Sequence, residues 1–266
     1  MRQRKPAQLL LAFYGDVVVD RIDAPVPAPL LLDVLNGVGI APATTRATLN
    51  RMADRGILTS VRKGRGVGYG LSQEGIDVLH EAAGRVNRDN PFVPQGDGWT
   101  LVTFSVPEGQ RTLRHRLRAT LTWAGFAPLR DGLWLAPGLV DLTAALHPLK
   151  PELPYGALTA FHAHAIDGFE MDAGVGAAWD LEGIRAHHEA FADQWREPPE
   201  PVGATPALTC RTALVADWLA LLRADPGLPP AFVGPGWPAD ESAEIFRTRR
   251  NELIPESENE LARRLG

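Results

Sequence analysis

Cysteine is nearly absent: Cys210 is the only one in 266 residues. An internal disulfide and a four-thiolate zinc site are therefore excluded. No apolar stretch approaches the ~20 residues of a membrane-spanning helix. The start, Met1 to Lys5, is basic in the manner of a signal peptide. However, the apolar run that follows, Ala7 to Tyr14, is broken by Gln8 and ends at Gly15 and Asp16 with no cleavage-type site. The sequence thus reads as cytoplasmic, with no membrane partner. Internal repeats and low-complexity segments are lacking too. With 45% hydrophobic and 22% charged residues, the composition is neither collagen-like, coiled-coil nor disordered. The length suggests two or three domains and a sizeable core.

The net charge of −5 conceals an asymmetry. Residues 1–90 hold 12 Lys and Arg against 9 Asp and Glu, whereas the remainder holds 15 against 23. Within residues 41–70 the basic side chains are Arg46, Arg51, Arg55, Arg62, Lys63 and Arg65, and the only acid is Asp54. A basic island on an acidic chain points to a localised polyanion site. The plain alternative is a solvated surface.

Three helices are expected first: one holding Leu9–Phe13, one over Pro29–Leu35 stopping at Gly37, and one from about Pro42 to Arg55 with Gly56 past its end. A strand over Ile57–Val61, a glycine-rich turn over Arg62–Gly68 and a return strand over Tyr69–Leu71 follow, and Ser72 suits the cap of another helix. Helices followed by a hairpin with a basic tip form the winged helix-turn-helix order. After a linker at Asp89–Gly98, the pattern is β-α-β-β-α-β, with the final strand near Ala157–Ile166, which is the ferredoxin-like order. Beyond Val175 it is helical: Trp179–Trp195, Thr209–Arg223 and Asp240–Asn251. The expected class is α+β in three domains: residues 1–90 winged helix, 97–170 ferredoxin-like, and 175–266 mostly helical.

At 100° per residue, Thr45, Leu49 and Met52 share one face of the third helix, while Arg46, Ala47, Asn50, Arg51 and Asp54 cluster opposite. Arginine can bond guanine O6 and N7 together, and asparagine can do the same with adenine N6 and N7. Arg46 and Asn50, one turn apart, suit neighbouring base pairs. Thr44, Arg51 and Arg55 lie to the side, where phosphates would run. Arg62, Lys63 and Arg65 add cations at the hairpin. Its glycines match neither G-x-G-x-x-G nor a Walker loop and belong to a turn.

Ala41–Leu58 resembles the recognition-helix segment of the PaaX family, the phenylacetic acid degradation repressors. Gly64–Gly75 is similar to that family's wing and the helix start after it, and Leu9–Asp16 also matches. Trp99–Phe104 resembles the first strand of its middle domain; Asp225–Pro229 and Gly236–Pro238 resemble its C-terminal domain. The resemblance implies a transcriptional repressor with a winged helix, a middle domain related to the small CRISPR-associated nuclease fold, and a helical C-terminal domain. It further implies a homodimer on palindromic double-stranded operators, released by an acyl-coenzyme A-type effector, phenylacetyl-coenzyme A in its best-known members. The wing departs from the family, since Gly68 and Gly70 stand where bulkier or basic residues are expected.

Enzyme readings find less. A metal-dependent nucleic-acid enzyme is the alternative, yet the end of the first middle-domain strand, Thr103–Val106, offers no acid before Glu108. His162 and His164, with His187, His188, Glu189 and Asp193, form a conceivable zinc set, but such histidines usually have no chemical role. No G-x-S-x-G elbow occurs. Arg111, Arg114 and Arg118 share the polar side of one helix, and Trp134, Trp179 and Trp195 read as core. No cofactor, metal, catalytic residue or effector-site residue is assigned.

Overall fold

The structure is a computed structural model describing residues 4–64, 66–86, 88–130, 132–166, 168, 171–198 and 203–265, without the side chains of residues 63, 81–85 and 148. In chain order the elements are α1 (Pro6–Phe13), a π-helical turn (Tyr14–Val18), β1 (Val26–Pro27), α2 (Ala28–Gly37), α3 (Pro42–Asp54), β2 (Leu58–Lys63), β3 (Gly66–Leu71) and α4 (Gln73–Val86). Then come β4 (Trp99–Phe104), α5 (Arg111–Trp123), β5 (Ala127–Arg130), β6 (Leu133–Pro137), α6 (Leu142–Leu146), β7 (Leu158–Ala163) and α7 (Asp172–Ala178). The chain ends with α8 (Leu181–Arg196), α9 (Pro206–Ala224), α10 (Pro230–Val233) and α11 (Ala239–Leu265). It is a mixed α+β protein with two antiparallel sheets. No helix of the described residues is long and apolar enough to cross a membrane.

Contacts divide the chain into two compact units. The first is Met1–Asp89 with Ala190–Ala220 and Glu241–Gly266; the second is Asn90–Glu189 with Leu221–Asp240.

In the first unit, Leu9, Leu10 and Phe13 of α1 and Leu30, Leu31 and Leu35 of α2 are buried with Leu49 of α3. Proline at the first turn of α1, α2 and α3 costs no hydrogen bond there. The sheet order is β1-β3-β2. Lys63 pairs with Gly66, so the ladder runs through most of the stretch that the sequence marks as a turn over Arg62–Gly68. The glycines of β3 have another use. A Cβ on Gly68 would lie 3.1 Å from the Pro25 Cβ and 3.3 Å from the Val26 carbonyl oxygen, so glycine lets β1 approach. Gly75 is tighter still: a Cβ there would sit 2.2 Å from the Ile57 carbonyl oxygen. Ser72 caps α4, its Oγ accepting the Gly75 N–H at 3.0 Å.

The C-terminal segments complete this unit. The sequence stops the last helix at Asn251, yet α11 continues through Pro255 to Leu265. Proline removes one helical bond, and contacts beyond it hold the helix. The Arg211 guanidinium donates to Ser257 Oγ at 3.0 Å, and the Glu260 carboxylate accepts the Ala207 and Leu208 N–H groups at the start of α9 at 3.1 and 2.8 Å. At the centre is Asp16, on the π-helical turn and 7% exposed. Arg211 donates from Nε to its Oδ2 at 2.5 Å and from Nη2 to its carbonyl at 2.8 Å, while Arg250 donates from Nε to Oδ1 at 2.8 Å.

In the second unit the sheet order is β5-β6-β4-β7, every neighbouring pair antiparallel. Period-two alternation sends Val102, Trp134 and Ala136 to one face, against Leu113, Leu117 and Leu121 of α5. Trp99, Ala127 and Leu135 turn to the other, against Val175, Trp179 and Leu228. Both faces of the sheet are covered.

Removing one partner of a buried ion pair strands the other charge and costs about 3–5 kcal/mol. Asp16→Ala should therefore shift the urea midpoint strongly downward. Arg263→Ala breaks an exposed pair with Glu256 and should cost about 1 kcal/mol or less. Circular dichroism across a urea series compares the two.

Candidate nucleic-acid interface

Helix α3 buries Thr45, Thr48, Leu49 and Met52. On its other side Thr44, Arg46, Ala47, Asn50, Arg51, Asp54 and Arg55 are exposed. The helical phase accounts for this division, with Thr48 joining the buried stripe. Its hydroxyl makes two bonds, donating to the Thr44 carbonyl at 2.8 Å and accepting from Arg51 Nη2 at 2.9 Å. Arg51 is thereby laid along the helix and held there.

Asn50 is bound from the hairpin. The Tyr69 hydroxyl, on β3, donates to its Oδ1 at 2.9 Å. The Tyr69 carbonyl in turn accepts the Tyr14 hydroxyl at 2.9 Å. Tyr14 is fully buried, and burial pushes its phenol far above the ordinary tyrosine range. It therefore stays protonated and donating across physiological pH. The two tyrosines connect the π-helical turn, the hairpin and the exposed face of α3. The acceptor end of the Asn50 amide is drawn toward β3, so its donor end points away from the hairpin.

Arg46, Asn50 and Arg51 thus share one exposed face. Arg55 is exposed at the C-terminal cap of α3 beside Gly56, whose φ is +74°, and Arg62 is exposed on β2, opposite Val67 in the ladder. Arg65 and the Lys63 side chain lie outside the described residues. Sequence reasoning missed Tyr14 and Tyr69. Their scarcity was the available signal: the chain has only three tyrosines, and these two carry the relay.

Other groups singled out in the sequence are dispersed. His162 and His164 stand with ring centroids 5.5 Å apart, and His162 Nε2 is bonded to the Asp97 carbonyl at 2.8 Å. His187 is exposed, whereas His188 is fully buried and bonded to Asp225 at 2.8 Å. Among the described residues, no three His, Cys, Asp or Glu side chains are placed to hold a metal. On α5, Arg114 donates to the Val106 carbonyl, Arg116 pairs with Glu152, and Arg118 lies 6.0 Å from the Trp134 ring centre. Cys210 is buried, and burial pushes its thiol up.

Three family models match the chain. "PaaX-like protein" matches residues 5–75, "PaaX protein central Cas2-like domain" residues 94–169, and "PaaX-like protein C-terminal domain" residues 179–263. The transcriptional repressor PaaX of Escherichia coli (strain K12) is 24% identical over 246 residues, covering 89% of this chain and 77% of the repressor. Among solved structures, the uncharacterised protein Rv0674 of Mycobacterium tuberculosis shares the fold, with a TM-score of 0.57 at 20% identity over 96% of this chain and 98% of that one.

Tyr69→Phe should release the Asn50 amide. Its side-chain NH₂ resonances are expected to move toward solvent-averaged positions in a ¹H–¹⁵N spectrum, with a stability change of about 1 kcal/mol or less, because the partner is exposed. Unmoved resonances would mean that the bond is not held in solution.

Proposed function

The chain belongs to the PaaX family, and from that premise we propose that it is a DNA-binding transcriptional repressor of a catabolic pathway, not an enzyme. In this reading, residues 1–90 are a winged helix-turn-helix domain with α3 as the reading helix and β2–β3 as the wing. Residues 97–170 are a ferredoxin-like domain, a reading supported by the strand order β5-β6-β4-β7. Residues 175–266 are the helical C-terminal domain. The extents of the three family models lend support to this division.

The observation that carries the reading is the exposed face of α3, where Arg46 and Asn50 stand one turn apart and Asn50 is braced from the hairpin. Arg46 is assigned to guanine. The donor end of Asn50 suits a purine N7, and its Oδ1 keeps a second lone pair for an adenine amino group. Arg51, Arg55, Thr44 and Arg62 are assigned to phosphates, with Lys63 and Arg65 as wing contacts. One module reads too few base pairs to be selective, so the operator is a palindrome and the protein a homodimer. Release by a small acidic or acyl-coenzyme A-type effector completes the scheme, and it places the protein in the cytoplasm with its DNA.

The test is selection of a binding duplex from random sequences, followed by titration across a salt series. Arg46→Ala or Asn50→Ala should cost about 1–3 kcal/mol on the selected duplex and little on a scrambled one. Lys63→Ala or Arg65→Ala should weaken both alike, lowering the salt slope by about one. Equal losses on both duplexes for Arg46→Ala would make it a phosphate clamp. A mass that stays monomeric on the duplex would overturn the dimer.

A further inference from the structure

The sheet β5-β6-β4-β7 has two edge strands, and they are built differently. β5 reads Ala-Pro-Leu-Arg: Pro128 lacks an N–H, the register against β6 slips between Pro128 and Arg130, and Arg130 is exposed. A proline, an irregular register and a charge all keep an edge strand from pairing with a second chain. β7 has none of them. It reads Leu-Thr-Ala-Phe-His-Ala, six residues in unbroken register with β4. From Leu153 to Ile166 the chain carries no Asp, Glu, Lys or Arg. Successive residues of a strand point to opposite faces, yet Thr159, Ala160, Phe161 and His162 are all exposed. Tyr155, Phe161 and Ile166 are 108, 57 and 72% exposed, so the segment shows apolar surface at both ends and in the middle.

The hydrogen-bond phase tells which main-chain groups are left open. The Ser105 N–H donates to the Ala157 carbonyl and the Gly138 N–H to the Gly98 carbonyl, both at 2.8 Å. Bonding alternates along antiparallel strands, so odd-numbered residues of β4 bond to β7 and even-numbered ones to β6. On β7 the odd-numbered residues therefore face β4. The N–H and C=O groups of Leu158, Ala160 and His162 point outward, away from the sheet.

We propose that this edge joins two copies of the chain, β7 against β7, antiparallel about a two-fold axis at Phe161, to make one eight-stranded sheet. The register is self-complementary. Ala160 of each copy stands opposite His162 of the other in a hydrogen-bonded pair, and the two Phe161 rings stand opposite each other between such pairs, where aromatic side chains reinforce a sheet. No like charges meet. A foreign strand would have to be selected by a charge or a side-chain pocket beside the edge, and the segment supplies no charge. The two-fold closes after two copies and leaves only the protected β5 edges outside. This surface gives the homodimer of the repressor reading its interface, and it rests on that reading only where DNA is concerned.

The first test uses the full chain and no DNA. Sedimentation should show a monomer–dimer equilibrium and no larger species. Ala160→Pro removes an outward N–H and no bond to β4. It should keep the circular dichroism spectrum and raise the dissociation constant about thirtyfold, one main-chain bond being lost from each copy. Phe161→Lys, which sets like charges opposite each other, should act in the same direction by about tenfold or more. Phe161→Cys should form a disulfide-linked dimer under mild oxidation, because the Cα atoms of such a pair lie about 4.5 Å apart, within disulfide reach. Leu139→Cys, equally exposed at 57% but off the strand, should not. A chain that stays monomeric, open-ended assembly, a dimer indifferent to Ala160→Pro and Phe161→Lys, or no cross-link through Phe161→Cys would each overturn the interface. The second test uses the selected palindrome. Ala160→Pro should bind a half-site duplex as the unchanged chain does and lose the added affinity for the whole palindrome. If the unchanged chain binds no duplex, the repressor reading fails, and sedimentation and cross-linking still decide the edge.

Discussion

Asp16 is a carboxylate withdrawn from water, a placement tolerated only where opposite charge and hydrogen bonds replace the lost hydration. Here the replacements come from Arg211 and Arg250, 195 and 234 residues further along the chain. The pairings fix the π-helical turn against α9 and α11. Tyr14 is held on that turn, the Tyr69 carbonyl is held by Tyr14, and the Asn50 amide by Tyr69. The geometry of the exposed face of α3 therefore depends on a charge pair in the core, and it depends equally on segments of the chain that the family models place in a separate C-terminal domain.

Much of α3 was legible in the sequence because its determinants are local. Proline at the first turn, apolar residues at helical spacing and Gly56 beyond the end are all contained in fifteen residues, and the helix observed is Pro42–Asp54. The succession of elements from β4 to β7 was likewise written in short alternating and periodic runs. What escaped is non-local. β1 has two residues, too few for any alternation, and exists because glycines in β3 admit it. The last helix passes Pro255 because Arg211 and the start of α9 hold its far side. No spacing announces that Tyr69 will reach Asn50, nineteen residues away. Asp16 did leave a trace, as a lone acid within the apolar stretch from Phe13 to Val19; an ionisable group in such company is seldom buried unless paired.

The glycines of the hairpin show how a local reading can be right in substance and wrong in cause. Gly68 and Gly70 depart from the bulkier or basic residues expected of the family's wing, and in the sequence they read as part of a glycine-rich turn. Instead they sit in a regular ladder, Gly68 opposite Val61 and Gly70 opposite Thr59. Their lack of side chains is used for packing by Pro25 and Val26 on one side and Thr59 on the other. Backbone freedom is required only at the tip, where Gly64 has a φ of +62°.

The distance between Asp16 and its cations has a consequence during synthesis. At about 5–20 residues per second, the ribosome needs roughly 10–40 s to make the stretch from Asp16 to Arg211. Throughout that interval the nascent amino-terminal segment carries an acid with nothing to pair it, so the π-helical turn and the tyrosine bonds built on it cannot settle. The exposed face of α3 is then among the last parts of the molecule to mature, completed only when Arg250 on α11 has left the exit tunnel.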